Sequence, residues 1–246
     1  MPFYDGGFMN VHVLKTYEEI SDFAANMIET VMKDKPNAVL GLATGSTPVG
    51  VYKSLIAKNL DYKNVSTYNL DEYVGLEPTD AQSYNFYMKE HLFDHININP
   101  ENTFVPMGNT ADPHKEATEF EAKIDAAGGI DIQILGIGQN GHIGFNEPSD
   151  HFNKFTHVAD LTESTIKANS IFFDKIEDVP TQAVSMGIGT IMKAKKIVLI
   201  ATGAQKAQAI FDLMNGNVTP AVQASILNFH PDVTVLLDEA AASLLK

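Results

Sequence analysis

Proton-transferring side chains in a glycine-rich segment are the first sign of chemistry in this sequence. Segment 136–148 carries His142 and Glu147 among four glycines, and it follows an apolar run at 130–135 that predicts a buried parallel strand. Ligands of open α/β sheets bind beyond the carboxyl ends of such strands. An imidazole exchanges protons near neutral pH, and a carboxylate can orient it. We therefore predict a catalytic site here, with a glycine-rich turn bearing a surface histidine as the alternative.

A second segment has the features of an anion site. Thr44, Gly45, Ser46 and Thr47 follow an apolar run at 38–43 and precede Pro48. Proline at the first helical position and hydroxyl residues at the cap leave free amides at the positive end of a helix, a geometry that suits a phosphate. The alternative is an ordinary capped helix start.

Two further segments supply charged groups. Asp71 and Glu72 close a third apolar run, and because successive strand side chains alternate in direction, one should face the crevice while the other packs or pairs elsewhere. Asp71 is the candidate base, and a cap for the next segment is the alternative. Lys206 follows a fourth strand in the run 202–206 and could reach the same anion, although a lone lysine is more often solvated.

Composition narrows the classes of protein. The chain has 246 residues, 44% of them hydrophobic, and this length and composition suit one α/β domain over 9–246, preceded by a possible added leader at 1–8. It contains no cysteine. The formal charge of −14 argues against nucleic acid as a partner. The sequence has no apolar run of about 18 residues, which a transmembrane helix needs, and no signal-peptide pattern. We therefore expect no membrane partner and a cytoplasmic location. All 17 basic residues are lysines, so no arginine fork can hold a phosphate.

Apolar runs alternate with amphipathic ones along the chain, which predicts a mostly parallel sheet with helices on both faces. Between 145 and 180 the periodicity weakens, and we predict a flap over the site there. The predicted strands are 11–14, 38–43, 65–70, 131–135, 196–201 and 233–237, and the predicted helices are 17–33, 48–58, 83–93, 113–127, 204–214, 220–227 and 239–245.

Taken together, the segments 41–48, 69–76, 136–148 and 202–207 resemble those of the glucosamine-6-phosphate deaminase family, and the short, non-allosteric type in particular. The resemblance runs from about Met9 to the end of the chain. It implies a Rossmann-like, doubly wound α/β fold and a hydrolase of amino sugar catabolism. Such an enzyme isomerises and deaminates glucosamine 6-phosphate to fructose 6-phosphate and ammonia. It also implies that no organic cofactor and no metal takes part.

The resemblance assigns roles to four side chains. His142, assisted by Asn140 and Glu147, would open the sugar ring, and Asp71 would take the proton from C2 and return it at C1. Backbone amides at Gly136 to Gly138 could stabilise oxygen charge at C1. The phosphate would bind Lys206 and the amides and hydroxyls of Thr44, Gly45, Ser46 and Thr47.

Two positions depart from the pattern of longer family members. Asn140 replaces an aspartate that would hold negative charge beside the histidine. Ile171 stands where longer members have a phosphate-binding arginine, in a run that reads Asn-Ser-Ile-Phe-Phe here. We therefore expect Lys206 and the loop at 44–47 to hold the phosphate, unless Lys167 or Lys154 replaces the arginine.

Two other classes stay open as alternatives. A 6-phosphogluconolactonase-like hydrolase shares the fold, but its relatives follow the histidine with a different sequence. A non-catalytic sugar-phosphate sensor would need an appended basic module. Longer deaminases are hexamers activated by N-acetylglucosamine 6-phosphate. The corresponding stretches here, 150–153 and 157–160, offer little fixed positive charge, so we expect a monomer or small homo-oligomer without that activation.

Overall fold

The computed structural model describes residues 9–215 and 217–245, so the predicted leader at 1–8 lies outside the described residues. Ten strands are present in this part of the chain. In chain order they are β1 (Met9–Leu14), β2 (Val39–Leu42), β3 (Ser66–Asn69), β4 (Asp71–Tyr73), β5 (Thr103–Phe104), β6 (Ile132–Leu135), β7 (His157–Asp160), β8 (Gln182–Ser185), β9 (Ile197–Ala201) and β10 (Val233–Asp238).

Seven of these strands form the main sheet in the order β1–β10–β9–β6–β2–β3–β5. Every pairing in this sheet is parallel. All residues of β2, β6 and β9 are buried, which is why these strands read as continuous apolar runs in the sequence. The prediction of an α/β fold with a mostly parallel sheet flanked by helices is confirmed.

The described helices flank this sheet. They are α1 (Tyr17–Asp34), α2 (Val49–Ala57), α3 (Tyr84–His91), α4 (Pro113–Ala126), α5 (Glu163–Asn169), α6 (Ile188–Ile191) and α7 (Ala207–Met214). Helix α1 packs against α2 and α2 against α3, whereas α4 packs against β7 and β8. In the part of the chain that the structure describes, no helix has the length and apolar character needed to cross a membrane.

A second, smaller sheet was not predicted. The chain leaves the main sheet after Asn69, and β4 pairs antiparallel with β8, which pairs antiparallel with β7. The segment between 145 and 180 is therefore more ordered than the predicted flap, because it contributes β7, α5 and the 3-10 helices Ser170–Phe172 and Ile176–Asp178. Residues 164–172 nevertheless border the cavity described below, as a flap would.

Three predicted helices near the end of the chain need correction. The helix predicted at 204–214 starts as a 3-10 turn, Ala204–Lys206, before α7. The helix predicted at 220–227 is wrong: a 3-10 helix occupies Gln223–Phe229, and the Ser225 hydroxyl bonds both backbone groups of Thr219, which competes with helical bonding there. The closing helix at 239–245 is also wrong, since the chain makes turns there and the Asp238 carboxylate accepts from Ala241 N at 2.7 Å.

Candidate active site

One cavity of about 480 Å³ lies at the carboxyl ends of four neighbouring strands, β9, β6, β2 and β3. The strand order reverses between β2 and β6: the chain proceeds from β2 outward to β3 and β5, and from β6 in the opposite direction to β9 and β10. Such a reversal makes this edge the expected ligand crevice of an α/β sheet. Residues from segments 43–47, 70–71, 136–145, 164–172 and 205–206 line it, together with Tyr84. The four sequence segments singled out above therefore meet at one place.

Asp71 begins β4 and faces this cavity. It is 7% exposed, and no described group donates a hydrogen bond to its carboxylate. Burial, with a smaller contribution from the neighbouring Glu72, raises its pKa from 3.8 to about 8. Gly144 of the glycine-rich segment lies beside it, since a Cβ there would be 3.6 Å from Asp71 Oδ2. Asp71 thus presents an unpaired carboxyl group whose proton can leave near neutral pH.

Glu72 points the other way. Its carboxylate accepts hydrogen bonds from the backbone amides of Tyr73, Tyr84 and Asn85, each at 2.9 Å, and it is 1% exposed. Burial raises its pKa to about 7, while these three amides lower it. Tyr84 and Asn85 begin α3, so Glu72 stabilises the positive end of that helix. Asp71 therefore faces the crevice, and Glu72 caps the next segment, so each of the two predictions for this pair describes one of its carboxylates.

His142, Asn140 and Glu147 form one hydrogen-bonded group. Asn140 donates to Glu147 Oε2 at 2.8 Å and accepts from the His142 backbone amide at 3.3 Å. His142 Nδ1 lies 3.4 Å from Glu147 Oε2, an ion-pair distance, although it is not aligned for a hydrogen bond. Burial raises the pKa of Glu147, but His142, Thr165 and Asn140 outweigh it and hold that pKa at about 2. Glu147 thus stays ionised behind the histidine and outside the cavity wall.

Glycine at 138 makes room for this histidine. A Cβ there would lie 2.3 Å from His142 Cε1, so no side chain fits without moving the ring. The Gly138 amide donates to His142 O at 2.9 Å and is not free to stabilise oxygen charge, as the sequence suggested. Among the described residues, no hydrogen bond is recorded for the amides of Gly136 and Ile137, which remain available for that role.

The loop at 44–47 differs from its prediction in one respect. Helix α2 begins at Val49, so Pro48 occupies the cap position and not the first helical position, and no side chain caps the helix. Thr44, Gly45, Ser46 and Thr47 all line the cavity. Thr47 lies near Gly136, where a Cβ would be 3.8 Å from its hydroxyl.

Lys206 is the lysine that this lining contains. Its ammonium group donates to the carbonyl of Ile137 at 2.6 Å, and burial lowers its pKa. Ile171 lies at the mouth of the cavity with 78% of its surface exposed. Neither Lys167 nor Lys154 lines the cavity, and the Lys154 ammonium lies 4.9 Å from the centre of the Phe155 ring.

Two cavity residues were not predicted from the sequence. Tyr84 lies on α3, and its ring is stacked with that of Phe145 at 6.3 Å. Thr165 lies on α5, and its hydroxyl donates to Glu147 Oε1. Both lie away from the glycine-rich segments, and neither has a local pattern that distinguishes it from a packing residue. Within the described residues, no group of three His, Asp or Glu side chains is placed to hold a metal ion.

Comparison with known proteins gives consistent results. A family model described as glucosamine-6-phosphate isomerases/6-phosphogluconolactonase matches residues 15–234. A glucosamine-6-phosphate deaminase of Clostridioides difficile (strain 630) is 55% identical over 97% of both chains. The enzyme of that name from Clostridium beijerinckii is 54% identical over 97% of this chain and all of its own.

Solved structures agree with this picture. A monomeric glucosamine-6-phosphate deaminase superposes with a TM-score of 0.93 at 48% identity, over 95% of this chain and 99% of its own. A 6-phosphogluconolactonase from Trypanosoma cruzi gives a TM-score of 0.79 at 20% identity over 96% of both chains, which shows a shared fold alone.

Proposed function

The chain belongs to the family of glucosamine-6-phosphate isomerases and 6-phosphogluconolactonases, and we propose that it is a deaminase that converts glucosamine 6-phosphate and water to fructose 6-phosphate and ammonia. One observation supports this reaction over lactone hydrolysis. Asp71, a buried carboxyl group without a hydrogen-bond partner among the described residues, shares the cavity with His142. Hydrolysis of a lactone removes no proton from carbon, whereas this isomerisation requires a base for one.

Ring opening is the first step that the site must catalyse. A proton leaves the anomeric hydroxyl and another reaches the ring oxygen, which breaks the bond between C1 and that oxygen and forms the aldehyde. His142 is the group in the cavity that can accept and donate these protons. The ionised Glu147 stabilises the imidazolium, and Asn140 holds Glu147 in place.

Enolisation follows on the open chain. Asp71 takes the proton from C2, and the electron pair of that bond forms the C1–C2 double bond while the C1 oxygen gains a proton. Asp71 then returns the proton to C1, which leaves an iminium group at C2. Water adds to C2 and ammonia departs, so the reaction is hydrolytic as well as isomerising. The amides of Gly136 and Ile137, which line the cavity, would stabilise charge on the C1 oxygen.

The phosphate is proposed to bind at the loop 44–47 with Lys206. A monoester dianion there meets backbone amides, hydroxyls and one ammonium group, because Ile171 supplies no charge. We propose that the enzyme acts as a monomer or small homo-oligomer on this small-molecule substrate. A cytoplasmic location stays a prediction.

One assay separates the candidate functions. Ammonia release from glucosamine 6-phosphate is measured beside hydrolysis of 6-phosphogluconolactone, with wild type and with His142→Asn. We expect ammonia release by wild type only and no lactone hydrolysis. Lactone hydrolysis without ammonia would support the hydrolase alternative. Binding of the sugar phosphate without turnover of either substrate would support a sensor.

A further inference from the structure

Tyrosine hydroxyl groups hold the carbonyl oxygens of the loop at 44–47. The Tyr52 hydroxyl donates to the carbonyl of Ala43, the residue that leads into the loop. The Tyr87 hydroxyl donates to the carbonyl of Gly45 at 2.6 Å. These two tyrosines lie on α2 and α3.

A third tyrosine completes the arrangement from α1. The Tyr17 hydroxyl lies 3.1 Å from the carbonyl of Ser46 and 2.8 Å from that of Thr47, and it accepts from the Gly50 amide at 2.8 Å. Gly50 permits this approach, because a Cβ there would lie 2.8 Å from the Tyr17 ring. Three helices therefore fix one short loop through hydroxyl groups.

Peptide geometry then determines where the amides point. No described peptide bond is cis, and in a trans peptide the carbonyl of one residue and the N–H of the next point in opposite directions. The carbonyls of residues 43, 45 and 46 each point towards a tyrosine hydroxyl, so the N–H groups of Thr44, Ser46 and Thr47 point away from the tyrosines. Thr44, Ser46 and Thr47 line the cavity, whereas none of the three tyrosines does, so these N–H groups face the cavity side.

No described residue competes with a ligand for these amides. Across 9–215 and 217–245, no hydrogen bond is recorded from the amides of residues 44–47. The ammonium group of Lys206 reaches the neighbouring wall at Ile137, next to Gly136 and Thr47. The loop thus presents three oriented donors beside a cation, in a cavity whose mouth carries the uncharged Ile171.

We propose that Tyr17, Tyr52 and Tyr87 are positioning residues for the substrate phosphate: they fix the carbonyls of the loop so that its amides are oriented before the anion arrives. Preorganised donors bind more tightly because the loop loses less conformational freedom on binding. The inference rests on the proposed function for the identity of the anion, a sugar phosphate. It assigns part of the phosphate affinity to side chains that never touch the phosphate.

Substitution of single hydroxyl groups tests the proposal. Tyr87→Phe and Tyr17→Phe each remove one hydroxyl from a partly exposed ring, so the fold should persist. We expect KM for glucosamine 6-phosphate to rise about 5-fold in each variant, the effect of one lost hydrogen bond, with kcat nearly unchanged. Tyr68→Phe is the matched control, because its hydroxyl also donates to a backbone carbonyl, Lys123 O at 3.2 Å, away from the cavity. The control should leave KM unchanged.

Binding of inorganic phosphate, measured by calorimetry, gives a readout that needs no turnover. We expect weaker phosphate binding in Tyr87→Phe and Tyr17→Phe than in wild type or Tyr68→Phe. If wild type shows no deamination but phosphate binding is weaker in the two variants than in wild type and Tyr68→Phe, the proposed function fails and the inference stands. If wild type deaminates and both folded variants keep the wild-type KM and phosphate affinity, the inference is overturned and the function stands.

Discussion

Replacement of Asp71 by asparagine should remove activity and stabilise the protein at the same time. Asparagine has nearly the same shape but no ionisable group. Without the base for C2, the deamination rate should fall at least about 10²-fold. The stability change follows from the pKa of Asp71, which burial raises from 3.8 to about 8 in the folded state.

The sign of the stability change depends on which state holds more protons. Between about pH 4 and pH 8 the folded protein keeps a proton on Asp71 that the unfolded chain has lost, so the free energy of unfolding falls as pH rises through this window. The shift of about 4 pKa units corresponds to about 5 kcal/mol above pH 8, at about 1.36 kcal/mol per unit. The asparagine amide would lack a hydrogen-bond partner, which costs about 1–3 kcal/mol and reduces the stability gained by removing the ionisable group. The variant should therefore be about 2–4 kcal/mol more stable than wild type at pH 8–9, and no more stable at pH 4.

Urea denaturation of wild type and Asp71→Asn at several pH values measures this difference. Glu72→Gln is the control, because its amide oxygen can still accept from the Tyr73 and Tyr84 amides and only the bond from Asn85 is lost, so it should cost less activity than Asp71→Asn. In wild type, kcat/KM should increase with pH up to about 8, as Asp71 ionises. Curves of stability against pH that run parallel for wild type and Asp71→Asn would refute the assigned pKa. Near wild-type turnover in the folded variant would refute the assigned role.

Four further predictions concern the rest of the site. Lys206→Ala should raise KM by about 30-fold and lower kcat less, since a charge-assisted contact to the phosphate is lost; an unchanged KM in steady-state kinetics would show that another group holds the phosphate. Ile171→Arg should lower KM in the same assay, because it adds a bidentate phosphate donor at the cavity mouth. Thr165→Val should lower kcat about 5-fold, because the Thr165 hydroxyl donates to Glu147 and helps to hold this carboxylate behind His142. Substrate titrations should be hyperbolic with and without N-acetylglucosamine 6-phosphate, and light scattering should give the mass of a monomer or small oligomer; a sigmoidal curve that this effector makes hyperbolic would contradict the prediction.

The main sheet was predictable because its central strands are buried on both faces. A strand such as Ile197–Ala201 reads as a continuous apolar run, and few other structures explain such a run between helices. The small sheet was missed for the opposite reason. Asp71–Tyr73 is three residues long and begins with two carboxylates, and its pairing with β8 joins segments more than 100 residues apart, which no local pattern reveals.

The site was predictable where chemistry lies in local motifs and hidden where it depends on distant contacts. Asp71, His142 and the loop at 44–47 could be placed together because parallel strands deliver their carboxyl ends to one edge. The contact of Thr165 with Glu147 spans 18 residues, and the contact of Tyr17 with the loop spans about 30. Neither the direction of a hydroxyl group nor the orientation of a peptide is encoded in a short sequence pattern.

Two carboxylates of the site have the same chemistry in the sequence and opposite behaviour in the structure. Asp71 is buried, lies beside another carboxyl group and has no hydrogen-bond donor among the described residues, so its pKa rises to about 8, where it can take up and return a proton. Glu147 is half-buried, which also raises its pKa, but His142, Thr165 and Asn140 surround it and hold that pKa at about 2. A group that must carry one proton from C2 to C1 needs the first environment, and a group that must remain negative beside an imidazolium needs the second. Because Asn140 donates to Glu147 where an aspartate would repel it, asparagine at this position strengthens the division.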